Sequence, residues 1–413
     1  MVNKVSNKAS LLFVLEKSPF PARADGISIR YNPIISKLNG SYNIDIVIVN
    51  DKREKAALRA EQAKSIARNV YLFNRGKSTF PLRAAETIYS FFSPVRSPYF
   101  ILDHNSYAIA EFVGRIVKEE SYSCVIWVGA ITDSLSIYID RQKESPPNIV
   151  DWIDSPSLHS HRLLNREKNH VKKILYKISE ITYRRWEKKI NASVDGSIYI
   201  TSLDAKFHDI NNSKSVVIPN GVLVEDFSCA KSQHMRKKEN KIIIGFLGNM
   251  GYKPNILAAR RLHAVSKELH VDEYRFEFRI IGRSPAIEVS RMRSDDFIVT
   301  GTVESIWEHM VDVDIFVFPM ESGAGLQNKI LEALYVGKPV ITTSICLKSF
   351  DTEEDPPVIV ADSDTEIIDK ITYLTLNPNV RSELSNKSIE YIKNYNWEEL
   401  SLKYKAYLDS YMS

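Results

Sequence analysis

Thirteen short apolar runs, most of them rich in β-branched residues, recur along this 413-residue chain with helical patterns between them. In the first half they are LLFVL (11–15), IDIVIVN (44–50), NVYLF (69–73), CVIWVGA (124–130), NIVDWI (148–153), GSIYIT (196–201) and SVVIPN (215–220). In the second half they are KIIIGFLG (241–248), FEFRIIG (276–282), FIVTG (297–301), IFVFPM (315–320), PVITTS (339–344) and PVIVAD (357–362). Near-continuous apolarity is how strands buried on both faces of a parallel sheet read, and the helices between them make repeated βαβ units. The stretch after residue 252 shows the helical half. Pro254 stands at a first helical position, where its missing N–H costs nothing, and Ala258, Leu262, Val265 and Leu269 form one stripe.

A chain of this length predicts two domains, at roughly 100–200 residues each. The break falls in GVLVEDFSCAKSQHMRKKEN (221–240), which is polar, charged and without period. The expected organisation is therefore α/β: two doubly wound domains, 1–220 and 241–390, a linker at 221–240, and a terminal segment 391–413. Ligands of such sheets bind outside the carboxyl ends of the strands, so a cleft between the two domains is the expected site.

Composition narrows the function classes. The formal charge of +4 (55 − 51) does not by itself indicate a nucleic-acid binder. Cys124, Cys229 and Cys346 are odd in number and far apart, with no zinc spacing or disulfide framework. The N-terminal apolar core, LLFVL, is too short for a signal peptide or a spanning helix, and a cytoplasmic protein is expected.

The most informative stretch is FPMESGAGLQNKILEALYVGKPVITTS, 318–344. It reads as strand, loop, helix from about 326 to 336, a stop at Gly337, and a further strand. Free N–H groups and the positive dipole end of a helix favour an anion, and Gly323, Ala324 and Gly325 keep side chains clear of it. Asn328, Lys329 and Glu332 share one side of the helix. Lys329 near a helix N-terminus is locally unfavourable unless an anion is shared, and a carboxylate such as Glu332 accepts hydrogen bonds from a diol. Together these predict a nucleoside diphosphate, with phosphates at the helix mouth and ribose at Glu332. A strand–turn–helix with a solvated Lys–Glu pair is the plain alternative.

Other segments agree in order. SPFPARADGISIRY (18–31), VDGSIYITSLDAKF (194–207), VVIPNGVLVEDF (216–227), FLGNMGYKPN (246–255), GAGLQNKILEALYVGKPVITT (323–343) and NWEEL (396–400) resemble the retaining glycosyltransferases of the large family-four group. That resemblance spans nearly the whole chain and includes bacterial polysaccharide-assembly sugar transferases. It implies the GT-B fold, in which two Rossmann-like domains face across a cleft and a C-terminal helix, here roughly 391–413, returns to the first. It also implies transfer of a sugar from a nucleoside-diphosphate sugar to a hydroxyl acceptor with retention of configuration. The nucleotide sugar would be a substrate, so no cofactor and no metal are expected, and domain closure would exclude water.

Residue by residue, the resemblance gives Glu332 the ribose and brings Ser322, Gly323, Ala324 and Gly325 to the sugar and phosphate. It makes Gly26 the first-domain glycine loop. The sequence departs from the family at three places. The first of two glutamates, eight positions before Glu332, is Ala324. Asn249, after Gly248, stands where an arginine usually grips the diphosphate, and Lys253 sits one position early, so Lys329 and Arg283 are the expected substitutes. The usual His-Asp pair reads Ile153-Asp154, with His159 and His161 just beyond. The catalytic candidates are thus Asp154, His159 and Lys329. For Asp151 and Asp154 the structural alternative is one helix cap and one solvated carboxylate. A sugar-nucleotide epimerase of the same fold and a non-catalytic nucleotide-sugar-binding partner remain alternatives.

Asp312-Val313-Asp314 precedes its apolar run rather than following it, which is the wrong end for a metal motif. Asp362-Ser363-Asp364 precedes Thr365-Glu366 and reads as a helix cap. Segment 162–190 carries ten Lys/Arg against three Glu, with a partial apolar stripe at Leu164, Val171, Leu175, Ile178 and Ile181. It reads either as a solvated helix face or as a surface for peripheral contact with anionic lipid at the inner face of a membrane.

Overall fold

The computed structural model describes residues 8–22, 25–49, 53–74, 105–129, 131–142, 144–208, 214–222, 240–321, 328–347, 350 and 355–412. The chain forms two compact units, one of Met1–Pro219 with Leu400–Ser413 and one of Asn220–Glu399.

The first unit is built on seven parallel strands: β1 (Ser10–Leu15), β2 (Asn43–Ile48), β3 (Asn69–Leu72), β4 (Cys124–Val128), β5 (Asn148–Trp152), β6 (Gly196–Tyr199) and β7 (Ser215–Val217), in the order β3-β2-β1-β4-β5-β6-β7. The second has six: β8 (Lys241–Leu247), β9 (Arg275–Ile281), β10 (Phe297–Gly301), β11 (Ile315–Phe318), β12 (Val340–Thr342) and β13 (Ile359–Val360), in the order β10-β9-β8-β11-β12-β13. Each of the thirteen apolar runs overlaps one of these strands. Leu11 to Leu15 and Ile315 to Phe318 are fully buried, as central strands covered on both faces must be.

Local chemistry sets the helix ends. Ser363 and Glu366 form a reciprocal capping box on helix Asp364–Leu376. Helix Asn328–Tyr335 ends in a Schellman turn, with Gly337 N–H on the Leu334 carbonyl and Lys338 N–H on that of Ala333; Gly337 takes φ +67°, which suits glycine. The last helix is Trp397–Asp409, beginning later than 391 because Asn396 accepts the Glu399 N–H at 2.8 Å and so starts a new helix. Its Tyr404 and Tyr407 belong to the first unit, where Tyr404 donates to Asp151 and Tyr407 to the Ser197 carbonyl.

Asp151 is neither a cap nor solvated. Its carboxylate is fully buried and takes a forked pair of hydrogen bonds from Arg30, also fully buried, which donates as well to the Ile218 carbonyl at 2.9 Å. Two ions removed from water persist only when paired and hydrogen-bonded this fully. Asp314 is likewise structural, accepting the Ile243 N–H at 2.9 Å. Most of the expected 221–240 linker lies outside the described residues.

Candidate functional site

In the second sheet the winding reverses between β8 and β11, and an open parallel sheet binds its ligands beside such a switch point, outside the strands' carboxyl ends. Backbone hydrogen bonds knit the loops there. Gly248 N–H reaches the Ile281 carbonyl, Met250 N–H that of Arg283, and Ala286 N–H that of Met250. The approach is so close that a Cβ on Gly282 would lie 1.8 Å from the Gly248 carbonyl oxygen.

Lys329, in the first turn of helix Asn328–Tyr335, reaches into this corner. Its Nζ donates to Asn255 Oδ1 at 2.8 Å, lies 3.0 Å from Met320 Sδ, and stands 5.0 Å and 5.8 Å from the ring centres of Phe246 and Phe318. Phe246 is the last residue but one of β8 and Phe318 the last of β11, so their rings mark the switch point itself. Desolvation lowers the ammonium to about 8. Among the described residues no carboxylate comes within ion-pair distance of it. Two aromatic faces and an amide offset part of the cost, about 0.5–2 kcal/mol for the cation–π contacts. The result is a partly desolvated cation held by neutral groups.

The other second-unit candidates divide. Glu332 is half-buried one turn beyond Asn328, which itself accepts a hydrogen bond from Asn220 at 3.1 Å. Gly248 and Asn249 follow β8; Asn249 is exposed, its side chain accepting the Gly251 N–H at 3.0 Å. Lys253 opens helix Lys253–Glu268 with an exposed side chain, and Arg283 is exposed on the loop after β9. Ser322, Gly323, Ala324 and Gly325 lie outside the described residues.

Several contributors escape a motif-based reading. Asn255, 7% exposed, holds Lys329 with its carbonyl and the Asn249 carbonyl with its amide at 3.0 Å. Phe246, Phe318 and Met320 look in the sequence like ordinary strand residues. The nearest signal is the paired asparagines of NMGYKPN, six apart across a strand–helix turn.

In the first unit, Gly26 begins helix Gly26–Leu38 behind the Asp25 cap, and among the described residues a Cβ there would meet nothing within 4 Å. Asp154 follows β5. It is reachable by solvent yet surrounded by protein, and desolvation and the Asp204 carboxylate raise it to about 7. His159 is exposed on helix Pro156–Arg166, and desolvation and Arg162 lower it. His161 instead lies against Glu180 at 3.1 Å.

Residues 241–377 match the family model described as "Glycosyl transferases group 1". A search of curated protein sequences returns no match. Among solved structures, the chain is similar to a glycosyltransferase from Rickettsia africae (12% identity, TM-score 0.63, covering 98% of this chain and 99% of that one). It is similar also to S. aureus TarM, a point variant crystallised with fondaparinux, α-GlcNAc-glycerol and UDP (12%, 0.64, 97% and 99%). A third is Anabaena HepE in complex with UDP (12%, 0.62, 97% and 100%). The family match is thus confined to residues 241–377, and the chain has the GT-B fold.

Proposed function

We propose that this protein moves a sugar from a nucleoside-diphosphate sugar to a hydroxyl of a glycan or lipid-linked acceptor, keeping the anomeric configuration. The observation that carries the reading is Lys329, a desolvated ammonium without a carboxylate partner among the described residues, at the switch point of a glycosyltransferase-family domain. A departing diphosphate is the anion such a cation is suited to stabilise, and a preorganised cation needs no reorganisation as charge develops. In this reading Lys329 meets the diphosphate, with Arg283, Lys253, Gly248 and Asn249 on the neighbouring loops and the backbone of Ser322 to Gly325 completing the cradle. Glu332 holds the ribose. Gly26 leaves room for the phosphate, and Asp154 and His159 face the acceptor or the donor sugar. The cations do the work often given to a metal, and no cofactor takes part.

The same proposal places the protein in bacterial surface polysaccharide or glycoconjugate assembly, as a cytoplasmic enzyme in peripheral contact with the inner membrane face. Support comes from helix His170–Ser193. Val171, Ile174, Leu175, Ile178 and Ile181 are all exposed, and Lys172, Lys177 and Lys188 flank them. An apolar stripe with basic shoulders suits an anionic lipid surface. Among the described residues no helix is long and apolar enough to cross a membrane.

A thermal-shift panel of UDP-, GDP-, ADP-, CMP- and TDP-sugars tests the donor assignment, beginning with UDP because HepE and TarM were crystallised with it. One nucleotide class should stabilise the wild type, and Glu332→Ala should abolish that shift. An unchanged shift in the variant would remove Glu332 from the ribose.

A further inference from the structure

Helix His170–Ser193 has a second, inward face, and that face is not simply apolar. It carries Glu180, Glu187 and Asn191, and each reaches a different part of segment 152–161. Asn191 Oδ1 accepts the Trp152 indole N–H at 3.0 Å, and Glu180 lies 3.1 Å from His161 Nδ1. Between them Glu187, fully buried, accepts the Ser157 N–H at 3.0 Å, the Ser155 hydroxyl at 3.1 Å and the Ser157 hydroxyl. Ser155 is the N-cap of helix Pro156–Arg166 and Ser157 stands in its first turn. A carboxylate from one helix therefore closes the amino end of another. Two of this unit's site candidates sit on either side of that closure, Asp154 just before it and His159 just after.

A buried carboxylate is costly when nothing cationic pairs with it. Among the described residues, the groups facing Glu187 do not supply a cation. His208 Nε2 lies 3.6 Å away, but burial drives that imidazole down to about 3, so it is neutral. Asp204 is itself an acid, and its charge adds to the desolvation that raises Glu187 to about 7. Arg162 acts on Asp154 and Asp204, and Arg184 on His208. What Glu187 has is three donors, all from the 155–157 turn. An ionised carboxylate is acceptor-only and serves all three, whereas protonation turns one oxygen into a donor and the serine hydroxyl facing it must reverse to accept.

We propose that Glu187 is a positioning residue, acting through Ser155 and Ser157 to fix the turn on which Asp154 and His159 meet the acceptor. The proposal rests on the transferase reading above. The ionised state is the positioning one, so acceptor turnover has an acid limb that Glu187 contributes.

The test uses the full chain with Glu187→Gln, Glu187→Ala and Ser157→Ala. Three quantities are read: UDP affinity by calorimetry; acceptor kcat and KM in a membrane extract between pH 5.5 and 9; and hydrogen exchange of peptides covering 152–161. All variants should keep UDP affinity within about twofold, because Lys329, Glu332, Arg283 and Lys253 stand on the other unit and Gly26 on a different helix of this one. Glu187→Ala should lose at least about tenfold in acceptor kcat/KM and exchange faster at 152–161. Glu187→Gln should recover part of that loss and flatten the acid limb. Should Glu187→Ala misfold, Ser157→Ala and Glu187→Gln still decide. Wild-type kinetics, pH profile and exchange in the Gln and Ser157 variants would overturn the proposal. A wild-type chain that transfers no sugar would instead refute the transferase reading, and the exchange measurement alone would then judge the turn.

Discussion

Replacing Lys329 by methionine should make the protein more stable and a poorer binder of nucleoside diphosphate. The ammonium falls from 10.5 to about 8 in the folded chain. A drop of about 2.5 units at 1.36 kcal/mol each makes the buried charge cost roughly 3 kcal/mol at pH 7. The sign follows from proton counting: between pH 8 and 10.5 the unfolded chain binds the extra proton, so the penalty is full below about 8 and disappears as pH rises. Methionine packs on Phe246 and Phe318 without that penalty but orphans Asn255 Oδ1, which costs about 1–2 kcal/mol. The net gain is about 1–2 kcal/mol, or roughly 2–8 °C in the melting of a domain of this size. Loss of a charge-assisted hydrogen bond should meanwhile weaken UDP by about 10–150-fold. Differential scanning fluorimetry and titration calorimetry in one buffer at pH 7 read both effects. Wild-type affinity should also fall about tenfold per pH unit above 8, and the variant's should not. A variant that melts lower and binds UDP as before would show that this ammonium is only a structural tie.

The remaining predictions are simpler. Gly282→Ala should unfold the second unit by several kcal/mol in urea, because its methyl would overlap the Gly248 carbonyl. Arg30→Met should cost about 3–5 kcal/mol in the first unit by leaving the Asp151 carboxylate buried and unpaired; a midpoint within experimental error of wild type would mean the pair contributes nothing. Val171→Ser, Ile174→Ser and Ile178→Ser together should abolish co-sedimentation with phosphatidylglycerol vesicles while leaving UDP affinity intact; unchanged sedimentation would remove the membrane contact.

Much of the fold could be read from the chain because central parallel strands are buried on both faces and so have one vocabulary. The stop at Gly337 and the cap at Ser363 were equally legible, since each follows from a backbone group that only a particular residue type satisfies. Asp151 misled for the opposite reason. Its partner, Arg30, is 121 residues away, and nothing local distinguishes a carboxylate bound for the core from one bound for water. Lys329 could be picked out by its place at a helix mouth. Its surroundings could not, because Asn255 stands 74 residues earlier and the two phenylalanines belong to strands whose pairing only the tertiary fold sets. The stripe on helix His170–Ser193 was legible as periodicity and as a surface; its opposite, inward side, which holds Tyr183, Trp186 and Ile190, was not.

That outward stripe affects how the protein behaves when no lipid is present. Lysines on its shoulders keep two such surfaces apart at low ionic strength. At 1 M salt the Debye length shrinks to about 3 Å and the repulsion is lost, while aliphatic adhesion is undiminished. Strong brine should then drive the free molecules into clumps.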